Sequence, residues 1–245
     1  MKIVFALTTL AALFAQTSLA FAEPPLPEAV VLLHGLGRTE QSMRPLADRL
    51  VEAGFTVCNL HYLSMSRSPD ELVTELTPKI AACGAEASRL HFVGHSLGGI
   101  LVRAVLAENH PANLGRVVML ASPNGGSEYV DWLGGSRLFR WILGPTASEL
   151  GTGAMSLPRR LPAPDFELGV IAGTRSLNPF SRWILPGEHD GTVTVESTKL
   201  AGMSDFLTVP SNHTFIMRSD TVATATIHFL RYGAFLPVAA EADAR

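Results

Sequence analysis

Short apolar runs typical of buried strands alternate along this chain with stretches whose apolar residues have helical spacing. The run from Ala29 to Leu33 is continuous, partly β-branched and followed by His34-Gly35, as expected for a strand buried on both faces. Beyond it, apolar residues recur at i, i+3, i+4, i+7 and i+8 from Met43, which is one helical stripe, and this helix should end at Gly54. Repetition of this strand-then-helix unit predicts a mostly parallel sheet covered by helices on both faces.

The remaining units follow the same pattern. Ser68, Pro69 and Glu71 have the spacing of a helix start, because a serine cap, a proline at the first position and a glutamate satisfy or dispense with unpaired N–H groups. Pro78 should kink this helix. The predicted strands are 29–33, 55–60, 90–93, 115–120, 168–172 and 206–209. The predicted helices are 43–51, one that opens at Ser68 and reaches Ile80, 100–108, and about 214–232.

Residues 1–22 differ from the rest of the chain. Lys2 is their only charge, and a short apolar run ends in the small-residue pattern Ala20-Phe21-Ala22, which is typical of a secretory signal peptide. The run is interrupted by polar residues and is shorter than the roughly 20 apolar residues that span a bilayer. We therefore expect residues 23–245 to form one domain that is secreted or periplasmic, with no stable membrane anchor after cleavage.

Export bears on the two cysteines of the chain, Cys58 and Cys83. In an oxidising compartment they could form a lasting disulfide. Two separate buried thiols are the alternative, and the sequence does not choose between them, since it gives no distance between the two side chains.

Composition limits the classes of partner. Hydrophobic residues make up 47% of the chain, which is enough for a sizeable core and excludes a disordered protein. The net charge is −3 and no run of Lys or Arg is present, so we expect no nucleic-acid partner. The sequence contains no CxxC or HExxH motif and no Cys/His cluster, and we expect neither a metal nor a cofactor.

The segment Gly94-His95-Ser96-Leu97-Gly98 is a G-x-S-x-G motif between a predicted buried strand and a predicted buried helix. This context is typical of a nucleophile elbow, a turn so sharp that the serine takes a strained backbone conformation. Residues two before and two after the serine must be small, and Gly94 and Gly98 meet that need. We predict that Ser96 is a nucleophile, with the N-terminus of the next helix beside it to stabilise an oxyanion.

A serine hydroxyl needs a base, and the base needs a carboxylate that orients it. His213 directly follows the sixth predicted strand, at the edge of the sheet where such folds carry catalytic groups, and we choose it as the base. Asp190 lies between Ser96 and His213 in the order expected for an α/β sheet, and we choose it as the acid. Glu188 and Asp205 are the alternative acids, and a solvated Asp-Gly turn is the structural alternative for Asp190.

An oxyanion needs two backbone N–H donors. Leu97 supplies one, and the glycine-rich loop His34-Gly35-Leu36-Gly37 after the first strand places the N–H of Leu36 where a second would be expected. His34 and His95 sit in tight turns bounded by glycine, so we interpret them as structural hydrogen-bonding residues rather than bases.

His34-Gly35, the run Gly94 to Gly99, Asp190-Gly191 and His213 together resemble the lipase-like branch of the α/β-hydrolase superfamily, over the whole of 23–245. The resemblance implies an α/β-hydrolase fold, with Ser96, Asp190 and His213 as the triad and Leu36 and Leu97 as the oxyanion hole. It also implies hydrolysis of a small-molecule or lipid carboxylic ester through an acyl-enzyme. Hydrolysis of thioesters or acyl transfer is the main alternative, and a non-catalytic binding module is a third.

Residues 122–165 break the strand-and-helix rhythm and are too long for an ordinary connection, so we interpret them as a compact cap over the sheet. Within the cap, Trp132, Phe139 and Trp141 are predicted to line a groove for an acyl chain. The alternative is that they only pack the insertion onto the sheet. Because the cap lacks the long multi-helix insertion of many lipases, activation at an oil surface is not expected.

Overall fold

The computed structural model describes residues 26–134 and 144–236. Its centre is a six-stranded sheet, in which every neighbouring pair is parallel and the spatial order is β2-β1-β3-β4-β5-β6. The strands are β1 (Ala29–Leu33), β2 (Thr56–Leu60), β3 (Leu90–His95), β4 (Leu114–Leu120), β5 (Leu168–Gly173) and β6 (Asp205–Val209). The predicted α/β architecture is confirmed, and the signal peptide predicted at 1–22 lies outside the described residues.

Helices cover both faces of this sheet. The α-helices are α1 (Arg44–Glu52), α2 (Pro69–Gly84), α3 (Leu97–Glu108), α4 (Glu128–Gly134), α5 (Leu157–Arg160), α6 (Val195–Thr198) and α7 (Asp220–Tyr232). Short 3₁₀ turns occupy Glu40–Met43, Ser181–Trp183 and Ile216–Arg218. Among the residues that the structure describes, no helix combines the length and the apolar character needed to cross a bilayer.

Alternation along β1 divides the core in two. Val31 and Leu33 pack on one face in a cluster with residues of α2 and α3, whereas Val30 and Leu32 pack on the other face with residues of α1 and α7. Successive side chains of a strand point to opposite faces, so a strand covered on both sides must be apolar at every position. Burial on both faces therefore explains the continuous apolar run of β1 in the sequence.

Three helices differ in detail from the predictions. The last one begins at Asp220 rather than near 214, because the Ser219 side chain accepts the N–H of Val222 as an N-cap, and the preceding residues form the 3₁₀ turn Ile216–Arg218. Helix α2 continues through Pro78 to Gly84, and its start has the predicted capping box between Ser68 and Glu71. The beginning of the last helix moves by about six residues, whereas α3 begins three residues earlier and α2 ends four residues later than predicted.

Cys58 on β2 and Cys83 on α2 form a disulfide, with their Cα atoms 6.2 Å apart. This resolves the alternative that the sequence left open. The bond joins an edge strand to the helix that covers it, so it ties the rim of the sheet to one of the two helical layers.

Arg103 on α3 makes polar contacts with the predicted cap, and it is only 4% exposed. Its guanidinium donates to the Asn124 side chain and to the carbonyls of Pro158, Leu161 and Pro162. Burial lowers the pKa of Arg103 to about 10, which leaves it charged at neutral pH. These four acceptors lie in residues 122–165, so one buried cation secures several turns of the insertion.

Replacing Arg103 by Met should lower the free energy of unfolding by about 2–4 kcal/mol, because the acceptors would stay buried without a charged donor. Urea unfolding followed by circular dichroism measures this change. Arg159→Met is the matched control, since Arg159 is exposed and makes only long contacts to the carbonyls of Gly125 and Thr152. Equal stability of the two variants would contradict the role given to Arg103.

Candidate active site

Ser96 occupies the sharp turn between β3 and α3, with φ 53° and ψ −121°. A non-glycine residue rarely adopts a positive φ of this kind, and such strain concentrates at functional sites. A Cβ at Gly94 would overlap the backbone of Gly99, and a Cβ at Gly98 would overlap the carbonyl of Leu33. The two glycines are therefore required by close packing, as the sequence motif predicts.

His213 lies in the loop after β6 and contacts Ser96 directly. Its Nε2 is 3.0 Å from the Ser96 Oγ, and its Nδ1 is 2.7 Å from Oδ2 of Asp190. The backbone N–H of His213 also donates to the carbonyl of Asp190 at 3.1 Å. Serine, histidine and aspartate thus form one hydrogen-bonded chain, although 117 residues separate the first two in sequence.

Asp190 is held by its own loop. Its Oδ1 accepts the N–H groups of Thr192 at 2.9 Å and Val193 at 2.8 Å, which leaves Oδ2 for the imidazole. The residue is 2% exposed, and the turn is completed by Gly191 at φ 100°. Both carboxylate oxygens are satisfied without water, so the acid has a single well-defined orientation.

The structure does not bring the two alternative acids to this place. Glu188 is exposed and contributes only its backbone carbonyl, which accepts the N–H of Val195. Asp205 begins β6 and so lies at the amino end of the strand, opposite the edge where His213 follows. Its carboxylate accepts the N–H groups of Phe206 and Phe235.

The two predicted oxyanion donors lie close to Ser96. Leu97 opens α3 immediately after Ser96, and Leu36 lies in the loop after β1, where Gly35 packs against the His95 ring and the Cβ of Ser96. Within the described part of the chain, neither the Leu36 nor the Leu97 N–H donates to a backbone or side-chain acceptor. Both are therefore available to a ligand atom beside Ser96.

His34 and His95 are buried, as expected of structural residues. The His34 ring stacks on Tyr62, and its Nδ1 contacts the carbonyl of Gly35 at 2.9 Å. His95 Nε2 donates to the carbonyl of His213 at 3.0 Å, a contact with the base that sequence reasoning missed. Burial foremost, and then the charges of His213 and Arg38, lower the pKa of His95 well below its ordinary value, so it stays neutral.

A cavity of about 230 Å³ opens beside Ser96 and His213. Its apolar wall comes mainly from the predicted cap, with Val130 and Leu133 on α4 and Leu150 beyond it. Trp132 is 61% exposed and is not among the lining residues, whereas Tyr129, Val130 and Leu133 of the same helix line the cavity. The predicted groove residues Phe139 and Trp141 lie outside the described residues.

Residues 26–134 and 144–236 contain no group of three or more His, Cys, Asp or Glu placed to hold a metal ion. Chemically, the arrangement offers a hydroxyl beside an imidazole and a buried carboxylate behind that imidazole, with the Leu36 and Leu97 N–H groups nearby and without an acceptor among the described residues. Such a set can activate an alcohol as a nucleophile and stabilise negative charge on an oxygen close to it.

Comparison with known proteins finds sequence matches to a thioesterase family and to a lipase. The family model for palmitoyl protein thioesterase matches residues 29–149, just under half of the chain, a range that includes Ser96 but ends before Asp190 and His213. A thermostable monoacylglycerol lipase from Bacillus sp. (strain H-257) is 32% identical over 124 residues, which are 47% of this chain. The match spans about half the length of that relative, 49%.

Solved structures show the same fold. A lipase from Bacillus licheniformis in its mature form has a TM-score of 0.64 at 21% identity, over 80% of this chain and 89% of that chain. The phospholipase PlaB from Legionella pneumophila, in complex with thio-NAD, has a TM-score of 0.64 at 20% identity, over 82% of this chain and 56% of that chain. These likenesses show that the chain has the α/β-hydrolase fold of these structures, and over about half of its length its sequence is similar to a thioesterase family and to a lipase.

Proposed function

We propose that this protein hydrolyses carboxylic esters through an acyl-enzyme formed on Ser96. The observation that carries the proposal is the continuous hydrogen-bonded chain from the Ser96 Oγ through the His213 ring to the Asp190 carboxylate. A binding module would have no need to keep a strained serine in contact with a buried acid and base. The lipase and thioesterase relatives support ester hydrolysis at the level of the reaction class.

In the first half of the reaction, His213 Nε2 takes the Ser96 proton as the Oγ attacks the ester carbonyl carbon. Asp190 holds Nδ1–H in place, so that Nε2 is the unprotonated nitrogen, and it stabilises the imidazolium that forms. The Leu36 and Leu97 N–H groups donate to the oxygen that becomes negative. The imidazolium then protonates the alcohol oxygen, and the alcohol leaves an acyl group on Ser96.

The second half repeats these steps with water. His213 removes a proton from the water molecule, which attacks the acyl carbon, and the Ser96 Oγ leaves with the proton that His213 returns. The products are a carboxylic acid and the free serine. His213 thus carries each proton between Ser96, the alcohol and water, and no further acid or base is needed for these steps.

The cavity favours esters with an apolar acid part. Val130, Leu133 and Leu150 form an apolar wall beside the nucleophile, where an acyl chain would lose contact with water. A volume of about 230 Å³ accommodates a short or medium chain in the space that the described residues enclose. We therefore propose a lipid or small-molecule ester as the substrate.

Thioester hydrolysis is a second candidate, favoured by the family-model match over 29–149. The same triad serves both reactions, but a thiol leaves more easily than an alcohol, because its pKa is lower and it depends less on protonation by His213. Acyl transfer would use the same acyl-enzyme and would differ only in that an alcohol, instead of water, attacks the acyl carbon.

The proposal is tested on the chain without residues 1–22. A fluorophosphonate probe should label Ser96, and nitrophenyl esters from acetyl to palmitoyl should be hydrolysed, with thioesters of the same acyl chains measured beside them. A preference for thioesters larger than the difference between the uncatalysed hydrolysis rates of the two substrates would favour the second candidate, and ester products formed with added alcohols would indicate transfer. Failure of both labelling and hydrolysis by folded protein would leave only a binding module.

A further inference from the structure

Arg38 lies in the loop between β1 and α1 and lines the cavity that contains Ser96 and His213. Its position is fixed by the backbone, because its N–H donates to the carbonyl of Gly35 at 3.2 Å and the N–H of Gly37 donates to the Ser64 hydroxyl at 3.0 Å. Arg38 is thus held two residues from the proposed oxyanion donor Leu36.

The guanidinium of Arg38 has no carboxylate partner among the described residues. The acidic residue nearest to it in sequence, Glu40, is engaged elsewhere, since its carboxylate contacts His61 Nδ1 at 2.6 Å. Arg38 is partly buried. Pairing with an incoming anion stabilises a partly buried cation without a counter-ion more than it stabilises a cation that is already paired.

Arg38 is the one Lys, Arg, Asp or Glu side chain among the described residues that line the cavity. Asp190 lies behind His213, with both of its oxygens occupied. Val130, Leu133 and Leu150 also line the cavity, so its described lining combines apolar side chains with one guanidinium.

We propose that Arg38 is a specificity-determining residue that binds an anionic group on the alcohol part of the ester, such as the phosphate of a monoacylated glycerol phosphate. The apolar wall would take the acyl chain, and the Arg38 guanidinium would pair with the phosphate or sulfonate through charge-assisted hydrogen bonds. This inference rests on the proposed function and narrows its substrate class.

The first experiment compares kcat/KM for 4-nitrophenyl butyrate with that for the same ester carrying a ring sulfonate. Arg38→Gln should lower the ratio of anionic to neutral ester by about tenfold or more, and Arg38→Lys should restore part of it. Added salt should weaken the preference of the wild type. Arg44→Gln is the matched control, because Arg44 is exposed and does not line the cavity, and its ratio should equal that of the wild type.

A second comparison identifies the natural source of the anion. A monoacylglycerol and its phosphate, with the same acyl chain, test a lipid headgroup, whereas competition by inorganic phosphate tests a free anion. Loss of preference in Arg38→Gln for the lipid pair alone points to the headgroup. Inhibition of the wild type by millimolar phosphate that disappears in this variant points to a free anion in the same subsite.

A binding measurement separates this inference from the proposed function. Calorimetry with octyl phosphate, which contains no carboxylic ester, should show affinity about tenfold weaker for Arg38→Gln, with octyl glucoside as the neutral control. If no ester is hydrolysed yet this difference appears, the proposed function fails and the anion subsite stands. If Arg38→Gln changes neither the kinetic ratio nor the octyl phosphate affinity, the subsite is refuted, whatever the protein hydrolyses.

Discussion

Replacing Ser96 by Ala is expected to reduce kcat on a short-chain nitrophenyl ester by about 10⁴-fold or more. The loss follows from the bond that Ser96 would make, since without Oγ no acyl-enzyme forms and His213 has only water to activate. Residual turnover would come from binding and from the Leu36 and Leu97 N–H groups. Steady-state hydrolysis together with fluorophosphonate labelling measures the effect.

Ser88→Ala provides the control for this experiment. Ser88 is exposed and precedes β3, whereas Ser96 follows it, so the two serines lie at opposite ends of one strand. We expect Ser88→Ala to keep the wild-type rate. Near wild-type hydrolysis by Ser96→Ala, with its circular dichroism spectrum unchanged, would refute the assignment of the nucleophile.

Replacing Asp190 by Asn should cost about 10⁴-fold in kcat at neutral pH. The reason lies in the two N–H groups of Thr192 and Val193, which require an oxygen at the Oδ1 position. The amide NH₂ must then face Nδ1 of His213, and it forces the tautomer in which Nε2 carries the proton. An imidazole in that tautomer donates to Ser96 and cannot take its proton.

Glu188→Gln is the matched control, because it makes the same acid-to-amide change two residues away on an exposed side chain. Its activity should stay within about twofold of wild type, as is usual for a surface change away from the reacting groups. If Asp190→Asn were active and Glu188→Gln inactive, Glu188 rather than Asp190 would be the acid. Thermal unfolding of both variants separates lost chemistry from lost folding.

Much of the fold could be predicted because a buried strand requires a short run of apolar residues, which the sequence shows directly. In a parallel sheet covered on both faces, every residue of a central strand is buried, so β1 appears as an unbroken apolar run. The turn at Ser96 was predictable for a similar reason, since the glycines around it are demanded by contacts within a few residues and with β1. Local rules also gave the capping box of α2.

Other features depended on which elements meet. Trp132 was an attractive groove residue by composition, yet the rotation of α4 turns Val130 and Leu133 toward the cavity and leaves Trp132 largely exposed. Nothing in the sequence of its apolar helix indicated that Arg103 is a buried hydrogen-bond donor, because its partners include backbone carbonyls more than 50 residues further along the chain. The beginning of α7 was misplaced, since Thr214 and its neighbours belong to the loop that carries His213.

The sequence by itself determined the alternation of strands and helices, the strained turn at Ser96 and the chain order of Ser96, Asp190 and His213. These depend on periodicity and on steric needs within short segments, which local sequence expresses. Only the tertiary structure decided that Cys58 meets Cys83, that Asp190 rather than Glu188 reaches His213, and that Arg38 faces the cavity without a carboxylate partner in the described residues. Such contacts join residues far apart in the chain, and the relative placement of whole elements sets them.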